Sequence, residues 1–132
     1  MMEYVTFKSR HLREIVRLCL DEGWASYADP TTAPQGLTAP GSVVMVAVNE
    51  RVVGYVQLQT DGVVHAHVSN IVVAPSHRRQ GIGHRLIECA FELSGAKYLD
   101  LVSTEGADAF YRSFDHKVFP GFRIYPHRSP RA

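Results

Sequence analysis

The segment Ile71-Val72-Val73-Ala74-Pro75-Ser76-His77-Arg78-Arg79-Gln80-Gly81-Ile82-Gly83-His84 holds the residues of this chain best suited to binding an anion. A β-rich run ends at Pro75, a basic turn follows, and an apolar helical pattern opens at two glycines. The first turn of a helix has N–H groups without intrahelical partners and lies at the positive end of the helix dipole. Gly81 and Gly83 carry no side chain, so a diphosphate can come close to the backbone, and Arg78 and Arg79 add positive charge. The plainer alternative is a tight connection flanked by two solvated arginines. A Walker A loop would end in Gly-Lys-Ser/Thr, and a dinucleotide-binding turn would read GxGxxG after an early parallel strand with an acid about 20 residues onward. Neither occurs.

The elements that must position this turn follow from periodicity. Tyr4 to Lys8 alternate as a short strand, and Ser9 can cap a helix with Leu12, Ile15, Val16 and Cys19 on its apolar face, ended by Gly23. Trp24 to Gly41 contains Pro30, Pro34, Gly36 and Pro40 and predicts an irregular loop with at most one short helical turn. Ser42 to Val48 and Val52 to Thr60 predict a hairpin, and Asp61-Gly62 turns the chain into a third antiparallel strand over Val63 to Val73. A helix is expected from Gly81 to Ser94 with Ile82, Leu86, Cys89, Ala90 and Leu93 on one face. Lys97 to Val102 reads as a buried strand, Gly106 to Phe114 as a helix, and Val118 to Tyr125 as one or two short strands broken at Pro120-Gly121. The fold class expected is α/β, a mixed sheet with helices on both faces.

Composition narrows the function classes. With 132 residues and 45% hydrophobic content, one domain over 1–132 is expected. A net charge of +1 gives no general attraction to nucleic acid or an anionic membrane, so neither partner is expected. Cys19 and Cys89 fall in apolar patterns without metal-ligand spacing, so a reducing cytoplasm is the expected location and no metal site is read. No run approaches the roughly 20 apolar residues that span a bilayer.

Arg78-x-x-Gly81-x-Gly83 after Ile71-Val72-Val73-Ala74-Pro75, with Phe110-Tyr111 in a later helix, resembles the GNAT acyltransferase superfamily. The resemblance runs over nearly the whole chain and implies a mostly antiparallel mixed sheet and an acetyl-coenzyme A-dependent N-acetyltransferase. It implies that Ile71, Val72 and Val73 pair with the pantetheine arm and that Arg78, Arg79, Gln80, Gly81, Ile82, Gly83 and His84 hold the pyrophosphate. Tyr111 stands where the family's tyrosine protonates the coenzyme A thiolate. His67 stands where a family glutamate often serves as general base, and an imidazole is chemically suited to that task. Thr104 replaces an asparagine that many members place beside the cofactor. Asp115-His116 replaces the usual Gly-Phe pair, which motivates a second reading of the chain as a non-catalytic acyl-coenzyme A binding or sensing module.

Other residues compete for roles. Strand alternation predicts His65, His67 and Ser69 on one face, which serves equally as a polar surface. Glu22 and Glu105 are rival bases, and Asp100 is a candidate to orient the substrate amine. Trp24 and Tyr27 either line the acceptor pocket or anchor their loop. Cys19 and Cys89 are read as core residues, which favours direct transfer over an acyl-cysteine intermediate. The acceptor is an amine-bearing small molecule or protein, and assembly as a homodimer is left open.

Overall fold

A computed structural model describes residues 1–126. The chain divides into two compact units, the first Met1–Asp100 and the second beginning at Leu101. The first unit contains β1 (Glu3–Thr6), a 3-10 turn at Ser9–His11, α1 (Leu12–Glu22), α2 (Ala25–Ala28), α3 (Thr32–Leu37), β2 (Ser42–Asn49), β3 (Arg51–Thr60), β4 (His65–Val73), a 3-10 turn at Pro75–His77, α4 (Ile82–Ser94) and β5 (Tyr98–Asp100). The second contains α5 (Asp108–Arg112).

The five strands form one sheet in the order β1-β2-β3-β4-β5, antiparallel throughout except for the parallel β4–β5 pair. Alternation along the strands sends their side chains to two faces. Val44, Val46, Tyr55 and Val72 pack with Ile15, Leu18 and Cys19 of α1 and with Leu37 of α3. Met45, Ala47, Val56 and Leu58 point the other way and are buried on the side where α4 packs with Ile82, Leu86, Ile87 and Ala90. Helices therefore cover both faces, as the apolar patterns require.

α1 ends at Gly23, whose φ of +79° suits glycine and whose N–H bonds the carbonyl of Leu20 at 3.1 Å. Ile15 at the centre of α1 is fully buried. Ile15→Ala should cost about 2–5 kcal/mol through lost transfer energy and the cavity left behind. A urea titration should show the midpoint falling with an unchanged m value.

Several expectations are corrected. The 24–41 segment holds two helices rather than one short turn, because Pro34 falls in the first turn of α3, where its missing N–H breaks no helical bond. Val63 and Val64 belong to the turn before β4, since Asp61 Oδ1 accepts their N–H groups at 2.7 and 2.8 Å. Leu93 is exposed, and Ile87 and Ser94 take its place on the buried face of α4. The strand read over Lys97 to Val102 is three residues long and lies at the sheet edge, with Tyr98 and Asp100 exposed. No strand forms over Val118 to Tyr125, where Val118, Phe119, Phe122 and Ile124 are exposed. The apolar alternation there met no partner strand among the described residues.

Candidate functional site

β5 pairs with β4 only along His65–His67. From Ser69 to Val73 the outer edge of β4 has no partner strand among the described residues, while β3 occupies its inner edge from Asn70 to Val73. Close approach of β3 there depends on Gly54, because a Cβ at that position would lie 2.8 Å from the Val72 carbonyl oxygen. An open edge of this kind presents N–H and C=O groups to any extended ligand. Val72 is buried, and Ile71 and Val73 are half-buried.

β4 runs directly into the basic turn. Arg79 and Gly81 both have left-handed backbones, with φ of +62° and +80°. A Cβ on Gly81 would touch nothing within 4 Å, so conformation rather than space calls for glycine there. Arg79 in the same region is a strained position of the sort found at binding loops. Ile82 anchors the start of α4 in the core, while Gly83 and His84 are half-buried and Arg79 and Gln80 are exposed. His84 Nδ1 lies 3.5 Å from Glu88 Oε1.

Arg78 folds back over the strand end. Its Nε donates to the Val73 carbonyl at 2.9 Å, and its Nη2 bonds the carboxylate of Glu22 at the C-terminal end of α1. A carboxylate at a helix C-terminus is opposed by the dipole, and the guanidinium offsets this. Glu22, Arg78 and Val73 are thus brought together, although 56 residues separate the first two in sequence.

The β3–β4 register shifts between Gln57 and Leu58. Gln57 faces Asn70, Leu58 faces Val68, and Ser69 between them is bulged and exposed. The bulge interrupts the alternation expected over His65, His67 and Ser69, and Asn70 takes the next paired place beyond His67, across from Gln57. His67 is half-buried and sits across from Gln59 on β3 and Asp100 on β5. Asp100 is engaged by His65, whose Nε2 lies 3.0 Å from Asp100 Oδ2 and whose ring packs on Tyr98 at 5.4 Å.

Sequence reasoning missed a buried polar cluster on the same face. Gln57 Nε2 donates to the Gly36 carbonyl at 2.8 Å and to Ser42 Oγ at 3.0 Å, Asn70 Nδ2 donates to Gln57 Oε1 at 2.9 Å, and Gln59 Nε2 donates to Ser42 Oγ at 2.6 Å. The available signal was Gln57 inside the otherwise apolar core of β3. Trp24 and Tyr27 pack against the α1 core, and Tyr27 lies over Gly36, so both act as anchors of the 24–41 segment. Cys19 is fully buried with Sγ 3.1 Å from Tyr55 Oη, and burial pushes its thiol pKa up, away from the thiolate.

The description of a known domain, acetyltransferase (GNAT) domain, fits residues 40–118 of this chain. The chain belongs to the GNAT acetyltransferase family. Its structure is similar to an acetyltransferase from Trypanosoma brucei at 23% identity and a TM-score of 0.76, covering 95% of this chain and 99% of that one. A GNAT family protein from Streptococcus pneumoniae aligns at 24% identity and a TM-score of 0.74, covering 98% and 100%. An aminoglycoside N-acetyltransferase solved with coenzyme A aligns at 16% identity and a TM-score of 0.78, covering 98% and 96%. These likenesses show a shared fold. No curated protein sequence matches the chain.

In the second unit of this GNAT chain, Tyr111 lies on α5 with its ring edge-on to Phe110 at 5.0 Å, and Phe110 packs likewise on Phe114 at 5.6 Å. Burial raises the Tyr111 phenol pKa above its ordinary value. Thr104 precedes the helix, and its carbonyl accepts the Ala107 N–H at 3.0 Å. Glu105 stands in the turn ahead of α5 rather than at the helix start, which begins at Asp108. Asp115 and His116 are exposed, and the His116 ring bonds the Phe114 carbonyl at 2.7 Å. No helix among the described residues is long and apolar enough to cross a membrane.

Proposed function

We propose that this chain transfers the acetyl group of acetyl-coenzyme A directly to a primary amine. The observation that carries the reading is the open outer edge of β4 over Ser69–Val73, continuous with a left-handed turn at the N-terminus of the 13-residue helix α4. An extended pantetheine arm pairs with Ile71, Val72 and Val73, and the diphosphate rests on the backbone from Arg78 through Gln80, Gly81, Ile82, Gly83 and His84, with Arg79 adding charge. Thr104 contributes a hydroxyl toward the cofactor. A backbone N–H near Val72 or Val73 stabilises the tetrahedral oxyanion.

The chain's own side chains then handle two protons. His67 removes one from the acceptor ammonium, directly or through water, and Tyr111 returns one to the departing thiolate. Glu22 is bonded to Arg78 and serves better to hold the turn than to take a proton. The chain works as one domain in the cytoplasm, with a small-molecule or protein amine as acceptor and no role for nucleic acid or membrane.

The test is thiol release from acetyl-coenzyme A across a panel of primary amines. Amine-dependent thiol release is expected, and cofactor binding without release on any amine would favour the non-catalytic binding module. His67→Ala should lower the rate mainly near neutral pH and much less at alkaline pH, where the amine is already free. A pH–rate profile that keeps its shape in the variant would remove His67 from the proton path.

A further inference from the structure

Strand parity decides which groups of the open β4 edge a ligand can reach. The Ala74 N–H donates to the Val53 carbonyl at 2.8 Å, so Ala74 turns its backbone groups toward β3. Successive residues of an extended strand turn theirs to opposite edges, so Val73 and Ile71 face the outer edge, beyond the reach of β5. Arg78 Nε donates to the Val73 carbonyl there at 2.9 Å. The last outward acceptor of the strand is thereby capped from within the chain. An extended ligand is left the Val73 N–H and both backbone groups of Ile71.

The cap has its own support. Arg78 Nη2 bonds the Glu22 carboxylate, so the guanidinium is held both on β4 and on α1. Glu22 is the last residue of α1, where the helix dipole disfavours a carboxylate, and its neighbour Asp21 is engaged by Arg17 instead. Both side chains of the Glu22–Arg78 pair are partly exposed, and an ion pair in that setting adds little to stability. Its effect is on geometry. It also neutralises Arg78, whereas no ion pair among the described residues involves Arg79.

We infer that Glu22 is a positioning residue for the cofactor: it holds Arg78 over the Val73 carbonyl and so fixes where the open edge of β4 ends and the diphosphate turn begins. This rests on the acyltransferase reading and adds to it a residue from α1, outside the turn itself. Charge alone predicts the opposite sign. Removing a carboxylate beside an anion-binding turn should tighten an anionic ligand, whereas losing the contact that sets the turn should weaken it.

Acetyl-coenzyme A is titrated calorimetrically into the full chain as wild type, Glu22→Ala and Glu22→Gln, with circular dichroism on each. Glu22→Ala should bind about 10-fold more weakly, the loss of one charged hydrogen bond that sets the turn, and Glu22→Gln, whose amide oxygen can still accept from Arg78, should stay within about 3-fold of wild type. Unchanged or tighter binding in folded Glu22→Ala, or equal weakening in both variants, would overturn the inference. The wild type supplies a readout that needs no variant to fold. By NMR its Arg78 Nε–H should be protected from solvent exchange and should stay protected at saturating acetyl-coenzyme A. Loss of that protection on binding would mean that Arg78 leaves Val73 for the ligand, which overturns the inference equally. A wild-type chain that does not bind acetyl-coenzyme A would sink the acyltransferase reading and this inference with it, whereas wild-type binding that ignores Glu22 would sink this inference alone.

Discussion

Gly83→Val should bind acetyl-coenzyme A at least about 100-fold more weakly than wild type, because a diphosphate held by first-turn N–H groups loses two or more charge-assisted hydrogen bonds when a branched side chain keeps it away. Gly83 is the second residue of α4 and half-buried, next to Ile82 in the core and two residues after the left-handed Gly81. A valine there adds bulk where the ligand must approach most closely. Helix propensity contributes little to the outcome, since valine is a better helix former than glycine. Titration calorimetry on wild type and variant, with circular dichroism to show that both are folded, measures the effect. Unchanged affinity in a folded Gly83→Val protein would mean that the diphosphate lies elsewhere.

Tyr111→Phe should reduce turnover by roughly 100-fold or more and leave acetyl-coenzyme A affinity nearly unchanged, as expected when an interaction made only in the transition state is removed. Phenylalanine preserves the edge-on packing against Phe110, so the substitution isolates the hydroxyl. The sign of the pH effect follows from the raised phenol pKa. The proton donor is present at every pH below that value, so the alkaline limb due to Tyr111 should lie above the ordinary tyrosine range and vanish in the phenylalanine variant. A structural tyrosine would give a near-wild-type rate and a lowered melting temperature instead. Rate, affinity and melting temperature measured on one preparation separate these outcomes.

The sheet, α1 and α4 were legible because their signals are local. Alternation marks β2 and β3, a helical stripe marks α1, and Gly23 and Gly95 mark two helix ends with left-handed backbones. The turn between β4 and α4 was legible for the same reason, since its glycines and arginines are contiguous. What escaped depends on pairing between distant segments. The Ser69 bulge is a property of the β3–β4 register, so alternation alone could not show that Asn70 follows His67 in the paired ladder. Glu22 adjoined a loop in sequence, and only the fold shows its bond to Arg78. Gln57 and Asn70 carry no sequence signature as a pair, because their meeting is set by strand register. The apolar alternation over Val118 to Tyr125 suggested strands, but a strand needs a partner, which periodicity cannot supply.

The most direct test of the central claim is mass spectrometry of one reaction mixture containing the wild-type chain, acetyl-coenzyme A and a primary amine, beside a control without the amine. The account predicts one acetylated amine for each free coenzyme A, with the protein at its unmodified mass in both samples. A lasting acetyl adduct on the protein in the control would contradict direct transfer, and coenzyme A binding with no acetylated amine across the panel would contradict the enzyme itself.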